Sequence, residues 1–370
     1  MVSLKDVQAS NSQIKSTFPS GLVAVFVGST SGIGAYALKE FAHRTAKPRI
    51  YFVGRSEEAA DKLLVELKSL NPGGEYIFLK CDASLLRSVD ELCLEIKARE
   101  SAINVLFMSQ GTLKFSGCKR NPPYTQTPRG QGSLPNSMHP ATTEGLRYVT
   151  AVTYYGRIRF ITNLLPILRA GAATAGLGRV VSVFAGSHEG PVLPDDWAGV
   201  NLPLSKARGH MASMLTLAHL KLRELAPEVS FVQNHPGAVK TGLVRGDEGF
   251  AIQLAKYVFP VLMWLGVLRE VGKGECGERQ SYYCTSGMYP ALTKGGVGNG
   301  GGVKVVEGVK VAVGVDGERG SGVYSVSWDG QGGVSETEKY VREHTEAGLV
   351  EKLWEHTVGE FVRITRKKTV

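Results

Sequence analysis

Short apolar runs alternate with amphipathic stretches between residues 22 and 233. Six runs have the length and composition of buried strands: Leu22–Val27, Arg49–Val53, Tyr76–Leu79, Val105–Met108, Arg179–Phe184 and Ser230–Gln233. Four stretches between them carry apolar residues at helical spacing: Ala59–Leu70, Leu85–Ile96, Leu146–Leu168 and Ala207–Leu225. Runs this apolar are typical of parallel strands that are covered on both faces. The pattern therefore predicts a single α/β domain with a doubly wound, Rossmann-type parallel sheet.

Two segments interrupt this pattern. Residues 116–141 are rich in Pro, Gly and Ser and lack apolar periodicity, which predicts a surface insertion or a gene-model artefact such as a translated intron. A glycine-rich run follows at 295–302, and the Val-rich alternation of 303–317 predicts a hairpin. A strand at Gly322–Trp328 and a C-terminal amphipathic helix complete the chain. We expect an N-terminal segment (1–20), a Rossmann domain (21–290) and a C-terminal extension (291–370).

Composition narrows the class of protein. The chain has 370 residues, of which 43% are hydrophobic, so it can bury a large core and is not a disordered chain. Its net charge of +9 favours anionic partners, including a phosphorylated cofactor. The basic tail at 363–368 is too short to predict nucleic-acid binding. Five cysteines without metal-type spacing predict reduced thiols and no metal site. Its longest apolar stretch, 257–268, is shorter than a bilayer span, so we expect a cytoplasmic protein without a transmembrane segment.

The strongest chemical signal is the segment VGSTSGIG at 27–34, which directly follows the first predicted strand and opens a helix. Glycine permits a tight turn and close approach of the backbone to a pyrophosphate, and the helix N-terminus presents free N–H groups. An ordinary glycine-rich turn is the alternative. The motif predicts a dinucleotide site that comprises Gly28, Ser29, Thr30, Ser31, Gly32, Ile33 and Gly34.

The Gly-x-x-x-Gly-x-Gly spacing resembles that of the short-chain dehydrogenase/reductase family, and the resemblance continues in register over residues 20–245. The segment MSQG at 108–111 lies where the family usually has Asn-Asn-Ala-Gly, and HPGAVKT at 235–241 matches its Pro-Gly-x-Val-x-Thr. Within the family, TYYGRIRFITNLLP, ECGER and GVYSVSWDG are similar to segments of fungal secondary-metabolite reductases. The resemblance implies further cofactor-binding residues: Asp82 near the adenine, Ser109, Gly111, Pro236, Gly237, Val239 and Thr241.

Arg55 indicates which nicotinamide cofactor the chain prefers. It ends the second predicted strand, where an NAD enzyme presents Asp or Glu to the ribose hydroxyls. A carboxylate would repel a 2′-phosphate, whereas a guanidinium binds it through two charge-assisted hydrogen bonds. The residue therefore predicts NADP(H) as the cofactor, with Ser56 as an additional donor. A solvated surface arginine is the alternative.

The catalytic Asn–Ser–Tyr–Lys set of the family is not intact in this sequence. Thr153 lies at the Asn position and Ala185 at the Ser position. One register of the Tyr-x-x-x-Lys motif puts Leu202 at the tyrosine, and a second puts a lysine and a histidine at an i, i+4 spacing on one helix face. The proton-transfer candidates are Lys206, His210, Ser187 and Tyr155. Each has the alternative of being a packing or surface residue.

Residues 248–270 follow the sixth predicted strand, where family members place substrate-covering helices. Their apolar side chains predict a lid over a hydrophobic ligand, with a dimer contact or an interfacial membrane helix as alternatives. The resemblance implies an NADP(H)-dependent reductase or dehydrogenase of a hydrophobic alcohol or ketone in polyketide or terpenoid biosynthesis, assembled as a homodimer or homotetramer. The alternative is a family member without oxidoreductase chemistry: a redox-neutral cyclase or isomerase, or a binding protein.

Overall fold

A seven-stranded parallel sheet forms the centre of the protein, with the strand order β3-β2-β1-β4-β5-β6-β7. The computed structural model describes residues 1–112, 141–239, 270–292 and 301–370. The strands are β1 (Val23–Val27), β2 (Arg49–Gly54), β3 (Glu75–Lys80), β4 (Val105–Met108), β5 (Arg179–Val183), β6 (Ser230–Asn234) and β7 (Val323–Val326). The predicted Rossmann-type fold is confirmed.

Helices cover both faces of the sheet. In the described residues they are α1 (Leu4–Ser12), α2 (Ile14–Thr17), α3 (Gly32–Arg44), α4 (Glu57–Leu70), α5 (Leu86–Arg99), α6 (Tyr148–Thr150), a π-helical segment (Ala151–Tyr155), α7 (Gly156–Ala175), α8 (Leu204–Leu225), α9 (Lys273–Thr285), α10 (Ser335–Glu346) and α11 (Leu349–Thr365). None of these combines the length and the apolar character that crossing a bilayer requires.

The strands read as continuous apolar runs because alternate side chains enter two separate cores. Val25 and Val27 pack with residues of α5, α7, α8 and α11, whereas Ala24 and Phe26 pack with residues of α3, α4 and α9. In the register of the sheet, Val27 lies between Val53 and Met108. Both faces of each central strand are therefore dry, which is the environment that selects Val, Ile and Phe over an alternating pattern.

Three predicted segments lie largely or wholly outside the described residues: the insertion at 116–141 apart from Ala141, the lid at 248–270 apart from Glu270, and the glycine run through residue 300. The predicted hairpin at 303–317 is wrong. Residues there form isolated bridges, Ser286 with Val303 and Val313 with Arg319. Gly308 and Gly317 turn the backbone with φ values of +84° and +83°, which breaks the run of valines before a ladder can form.

The C-terminal extension covers the outer face of α7 and α8. It contains two helices rather than the one that was predicted, because Gly348 interrupts them with a φ of +68°. From α11, Leu353 and Phe361 are fully buried, and the Arg159 guanidinium of α7 stacks 4.9 Å from the centre of the Phe361 ring. The extension is thus part of the core of this domain, and the face it covers is not available to a second copy of the chain.

We predict that Phe361→Ala lowers the free energy of unfolding by about 3–5 kcal/mol, because it leaves a cavity between α11 and α7. Val362→Ala on the same helix is the matched control, since Val362 is 38% exposed and its truncation leaves no cavity. Urea denaturation measures both changes. Equal stability of the two variants would contradict the burial of Phe361 between α11 and α7.

Candidate functional site

A cavity of about 710 Å³ opens at the carboxyl edge of the sheet. The connections of the sheet run in opposite directions from β1 and β4, and the crevice between diverging connections is where parallel α/β sheets bind ligands. The lining includes these residues that the sequence predicted: Gly28, Thr30, Ser31, Gly32, Ile33, Gly34, Arg55, Ser56, Asp82, Ser109, Gly111, Pro236, Gly237 and Val239. The carboxyl ends of β1 to β6 therefore converge on one site.

Two predicted residues differ from the rest of that set. Ser29 is fully buried, and its Oγ–H donates to the Phe26 carbonyl at 2.7 Å, so it stabilises the turn from beneath rather than lining the cavity. Thr241 lies outside the described residues.

The glycine loop brings backbone, rather than side chains, to the cavity wall. Gly28 has a φ of +75°, and a Cβ there would lie 2.6 Å from the Gln110 nitrogen. A Cβ on Gly34 would lie 2.5 Å from Ser109 Oγ. Helix α3 begins at Gly32, and its N-cap Ser31 makes no side-chain capping bond. The first N–H groups of α3 are thus left for an anionic ligand, which is the arrangement that suits a pyrophosphate.

Arg55 lies at the rim of the cavity, directly after β2. Its exposed guanidinium donates from Nη1 to the Tyr148 hydroxyl at 3.2 Å and makes no ion pair with any described residue. Asp82, after β3, accepts hydrogen bonds on Oδ1 from the Ser84 N–H at 3.0 Å and from the Ser84 hydroxyl at 2.7 Å. On the β2 and β3 side, the rim therefore carries an unpaired cation, Arg55, and an oriented carboxylate, Asp82.

Arg157 forms the floor of the cavity, and the sequence analysis did not find it. This fully buried guanidinium donates from Nη1 to the Met108 carbonyl at 3.0 Å, and from Nη2 to the carbonyls of Gln110 at 2.6 Å and Val183 at 2.9 Å. Burial lowers its pKa to about 9, which leaves it charged at neutral pH. It ties the carboxyl ends of β4 and β5 together. A charged residue inside an otherwise apolar helical stretch was the available sequence signal.

The end of the cavity opposite Arg55 is formed by β5, β6 and α8. Its wall includes Phe184, Ala185 and Met211, together with two polar side chains that the sequence analysis missed, Arg208 and His235. Arg208 Nη2 and His235 Nδ1 lie 3.3 Å apart. Burial, with smaller contributions from the charge of Arg208 and from His188, lowers the pKa of His235 to about 4. His235 is therefore neutral at physiological pH and accepts the hydrogen bond from Arg208.

The predicted pair Lys206 and His210 does not line the cavity. Lys206 is exposed at the start of α8. His210 is fully buried, with Nδ1 accepting from the Leu193 N–H at 3.3 Å and Nε2 lying 3.1 Å from the Trp197 carbonyl. Burial lowers its pKa. Both ring nitrogens are thus engaged with the loop that precedes α8, as in a packing histidine.

Ser187 and Tyr155, the other two candidates for proton transfer, also lie away from the cavity wall. Ser187 has a left-handed φ of +62°, and its N–H donates to Ser325 Oγ at 2.7 Å. The Tyr155 hydroxyl lies 2.7 Å from His356 Nε2, beneath α11, and burial raises its pKa well above the ordinary value. Thr153 and Ala185, which occupy the Asn and Ser positions of the family's catalytic set, do line the cavity.

A second unusual buried group lies close to Arg157. His219 of α8 is fully buried against Phe231, with ring centres 5.5 Å apart, and neither of its ring nitrogens has a hydrogen-bond partner among the described residues. Burial, with a smaller contribution from the positive charge of Arg157, lowers its pKa to about 3. The imidazole is therefore held neutral under the cavity.

Comparison with known proteins now defines the family. A family model described as short chain dehydrogenase matches residues 22–126. Oxidoreductase AN1596 of Emericella nidulans is 34% identical over 359 residues, which is 96% of this chain and 97% of that protein. Oxidoreductase andH of Emericella variicolor is 32% identical and covers 99% of this chain and 98% of its own. The chain belongs to the short-chain dehydrogenase/reductase family.

The solved structures support the same fold. The Pseudomonas aeruginosa RhlG/NADP active-site complex aligns over 72% of this chain and 90% of its own, with a TM-score of 0.50 and 17% sequence identity. The family resemblance read from the sequence, including its similarity to fungal members, is confirmed. The short-chain dehydrogenase/reductase site accordingly binds a nicotinamide cofactor, and the uncapped N-terminus of α3 and the backbone cradle of the glycine loop fit its pyrophosphate.

We predict that Arg157→Met lowers the free energy of unfolding by about 2–4 kcal/mol, because it leaves three buried carbonyls without a hydrogen-bond donor. The folded variant should also bind NADH and NADPH more weakly. Urea denaturation and fluorescence titration measure the two effects.

Arg179→Met is the matched control. Arg179 is equally buried but donates to the Tyr283 and Ser286 carbonyls, away from the cavity, so its loss should cost stability alone. Unchanged cofactor affinity in Arg157→Met would exclude a role in shaping the cavity floor.

We also predict that acid removes stability through His219. The unfolded chain takes up this proton near pH 6.5 and the folded chain only near pH 3, so the unfolded state binds more protons between these values and stability falls as pH falls. In His219→Met, stability at pH 7 should be equal or higher, because two unsatisfied nitrogens are removed, and its loss on acidification should be smaller. His43→Gln, an exposed control on α3, should follow the unmodified chain in urea denaturation at each pH. Identical pH dependence in all three proteins would contradict this assignment.

Proposed function

We propose that the chain is an NADP(H)-dependent oxidoreductase that interconverts a hydrophobic ketone and the corresponding alcohol. The observation that carries this proposal is the position of Arg55. Its guanidinium stands at the cavity rim after β2 and has no carboxylate partner among the described residues. An unpaired cation at this place would bind the 2′-phosphate that distinguishes NADP(H) from NAD(H).

The residues around Arg55 fit a phosphate. Gly54 lets Thr30 approach closely, since a Cβ there would lie 2.5 Å from Thr30 Cγ2, and the Thr30 hydroxyl lines the same part of the cavity. Ser56 caps α4 by accepting from the Ala59 N–H at 3.2 Å, which leaves its own O–H available as a donor. Arg55, Ser56 and Thr30 would thus place donors on one group, while the N-terminus of α3 binds the pyrophosphate.

The bound cofactor would supply or accept the hydride, and the far end of the cavity would hold the substrate. That end is lined by Val149, Val152, Phe184 and Met211, which favours an apolar substrate. The resemblance of the segments TYYGRIRFITNLLP, ECGER and GVYSVSWDG to fungal secondary-metabolite reductases favours a polyketide or terpenoid intermediate. Roles of Lys206, His210, Ser187 and Tyr155 in proton transfer stay predictions, and the geometry does not favour them, because none of the four lines the cavity.

One observation favours a second candidate, a redox-neutral enzyme or binding protein that retains the cofactor site. Ala185 lacks the hydroxyl of the family serine, and among the described residues of the wall the one tyrosine, Tyr148, lies beside Arg55 rather than at the substrate end. A panel of hydrophobic ketones and alcohols, followed by NADPH absorbance, separates the two. Binding of NADPH without turnover of any member of the panel would favour the second candidate.

We predict that Arg55→Ala weakens NADPH binding by about tenfold to one-hundredfold, since a charge-assisted bidentate contact is worth about 1.5–3 kcal/mol. Binding of NADH should change little, because NADH has no 2′-phosphate. Fluorescence titration with both nucleotides, side by side, measures the preference.

Arg342→Ala is the matched control for this experiment. It removes the same charge from an exposed position on α10, outside the cavity, and should leave both affinities unchanged. If Arg55→Ala weakens NADH and NADPH equally, Arg55 does not select the cofactor. If the unmodified chain binds neither nucleotide, the proposed function is wrong.

A further inference from the structure

Arg208 is a cation at the apolar end of the cavity. It projects from the first turns of α8, and its neighbours in the wall include Phe184, Ala185 and Met211. A guanidinium lowers the affinity of such a surface for a purely hydrocarbon ligand, because binding that ligand would strip water from the charge. The position of Arg208 beside these apolar side chains therefore favours a ligand that carries both an apolar part and a negatively charged or hydrogen-bond-accepting group.

The charge of Arg208 is not compensated within the described residues. No described carboxylate forms an ion pair with it, in contrast to Arg159, which pairs with Asp90 on the same side of the sheet. Arg208 is an exposed residue, although partial burial of its guanidinium lowers its pKa. Its charge therefore has no counter-ion among the described residues and is open to an anionic ligand.

His235 orients this guanidinium. Its Nδ1 accepts from Arg208 Nη2 at 3.3 Å, and its ring packs edge-on against His188, with centres 4.8 Å apart. A guanidinium has five N–H donors, and this is the one bond that Arg208 makes to a described side chain. The remaining donors match the two oxygens of a carboxylate.

The phosphates of a bound dinucleotide would have their own partners elsewhere in the cavity. The N-terminus of α3 and Arg55 lie on the β1 and β2 side, whereas Arg208 and His235 belong to α8 and to the loop after β6. Ala185, at the position where the family has its serine, adds no hydroxyl near Arg208 to hold a substrate oxygen. Arg208 is therefore placed to contact the substrate rather than the cofactor phosphates.

We propose that Arg208, held by His235, binds a carboxylate of the substrate. The chain would then act on hydrophobic acids, with the carboxylate anchored on the guanidinium and the apolar body against Phe184 and Met211. This inference rests on the proposed function and specifies its substrate class.

A matched pair of probes tests this proposal: octanoate and octanol, which share a chain and differ in charge. Calorimetric titration into the full-length chain saturated with NADPH should show octanoate binding about tenfold to one-hundredfold more tightly than octanol, the range expected for hydrogen bonds to a charged group. Arg208→Leu should abolish that preference, and Arg208→Lys, which keeps the charge but loses the two-point contact, should retain part of it. Arg342→Leu should preserve the preference in full, and thermal unfolding checks that each variant is folded.

Three results would overturn the proposal. The unmodified chain would bind octanol as tightly as octanoate, Arg208→Leu would still prefer octanoate, or Arg208→Leu would lose NADPH affinity to the same extent as Arg55→Ala. The last result would make Arg208 a cofactor-binding residue. Failure here is distinct from failure of the proposed function, because NADPH binding by the unmodified chain is measured first and separately.

Discussion

The cavity depends on one buried cation, Arg157, at the point where the sheet connections diverge. Parallel strands splay where their connections depart in opposite directions, and the carbonyls at the ends of β4 and β5 would face an apolar interior there. Arg157 donates to the carbonyls of Met108, Gln110 and Val183, and no carboxylate in the described parts of the chain pairs with it. Desolvating a guanidinium is costly, and a buried charge without three acceptors would not be retained. The carbonyls and the cation are therefore stabilised by one another.

The opposite edge of the same strands is closed in a different way. Asn104 accepts the Val23 N–H on its Oδ1 at 3.0 Å and donates to the carbonyls of Gly171 and Leu177, so a neutral amide joins β1, β4 and the end of α7. Gly171 permits that contact, since a Cβ there would lie 1.9 Å from the Ile103 carbonyl oxygen. The amino edge of the sheet is thus packed shut, whereas the carboxyl edge is held open around a charged floor. This difference favours ligand binding at the carboxyl edge.

The sequence predicted the cofactor end of the cavity, including the glycine loop, Arg55 and Asp82, and missed the side chains Arg157, Arg208 and His235. The glycine loop could be read because close approach, such as that of Gly34 to Ser109, requires glycine at particular positions. Strands such as Val105–Met108 could be placed because both of their faces are buried. Helix α8 shows why the rest failed. Spacing sets which residues share a face but not which face meets the cavity. Lys206 and Arg208 lie about 200° apart around the helix axis, and packing of Ala207 and Met211 against Val149 turns Arg208 inward.

The C-terminal extension explains why two tyrosines on the helical segment beside the site do not line the cavity. Tyr155, a candidate proton donor in the sequence, and its neighbour Tyr154 directly follow Thr153, which does line the cavity. The π-helical turn and α7 direct their hydroxyls the other way, toward Thr357 at 2.7 Å and His356 at 2.7 Å on α11. Burial raises the pKa of both phenols, because a phenolate would be desolvated there. By covering this face, the extension commits it to folding stability. On the described wall, the titratable side chains that α8 and the loop after β6 contribute are Arg208 and His235.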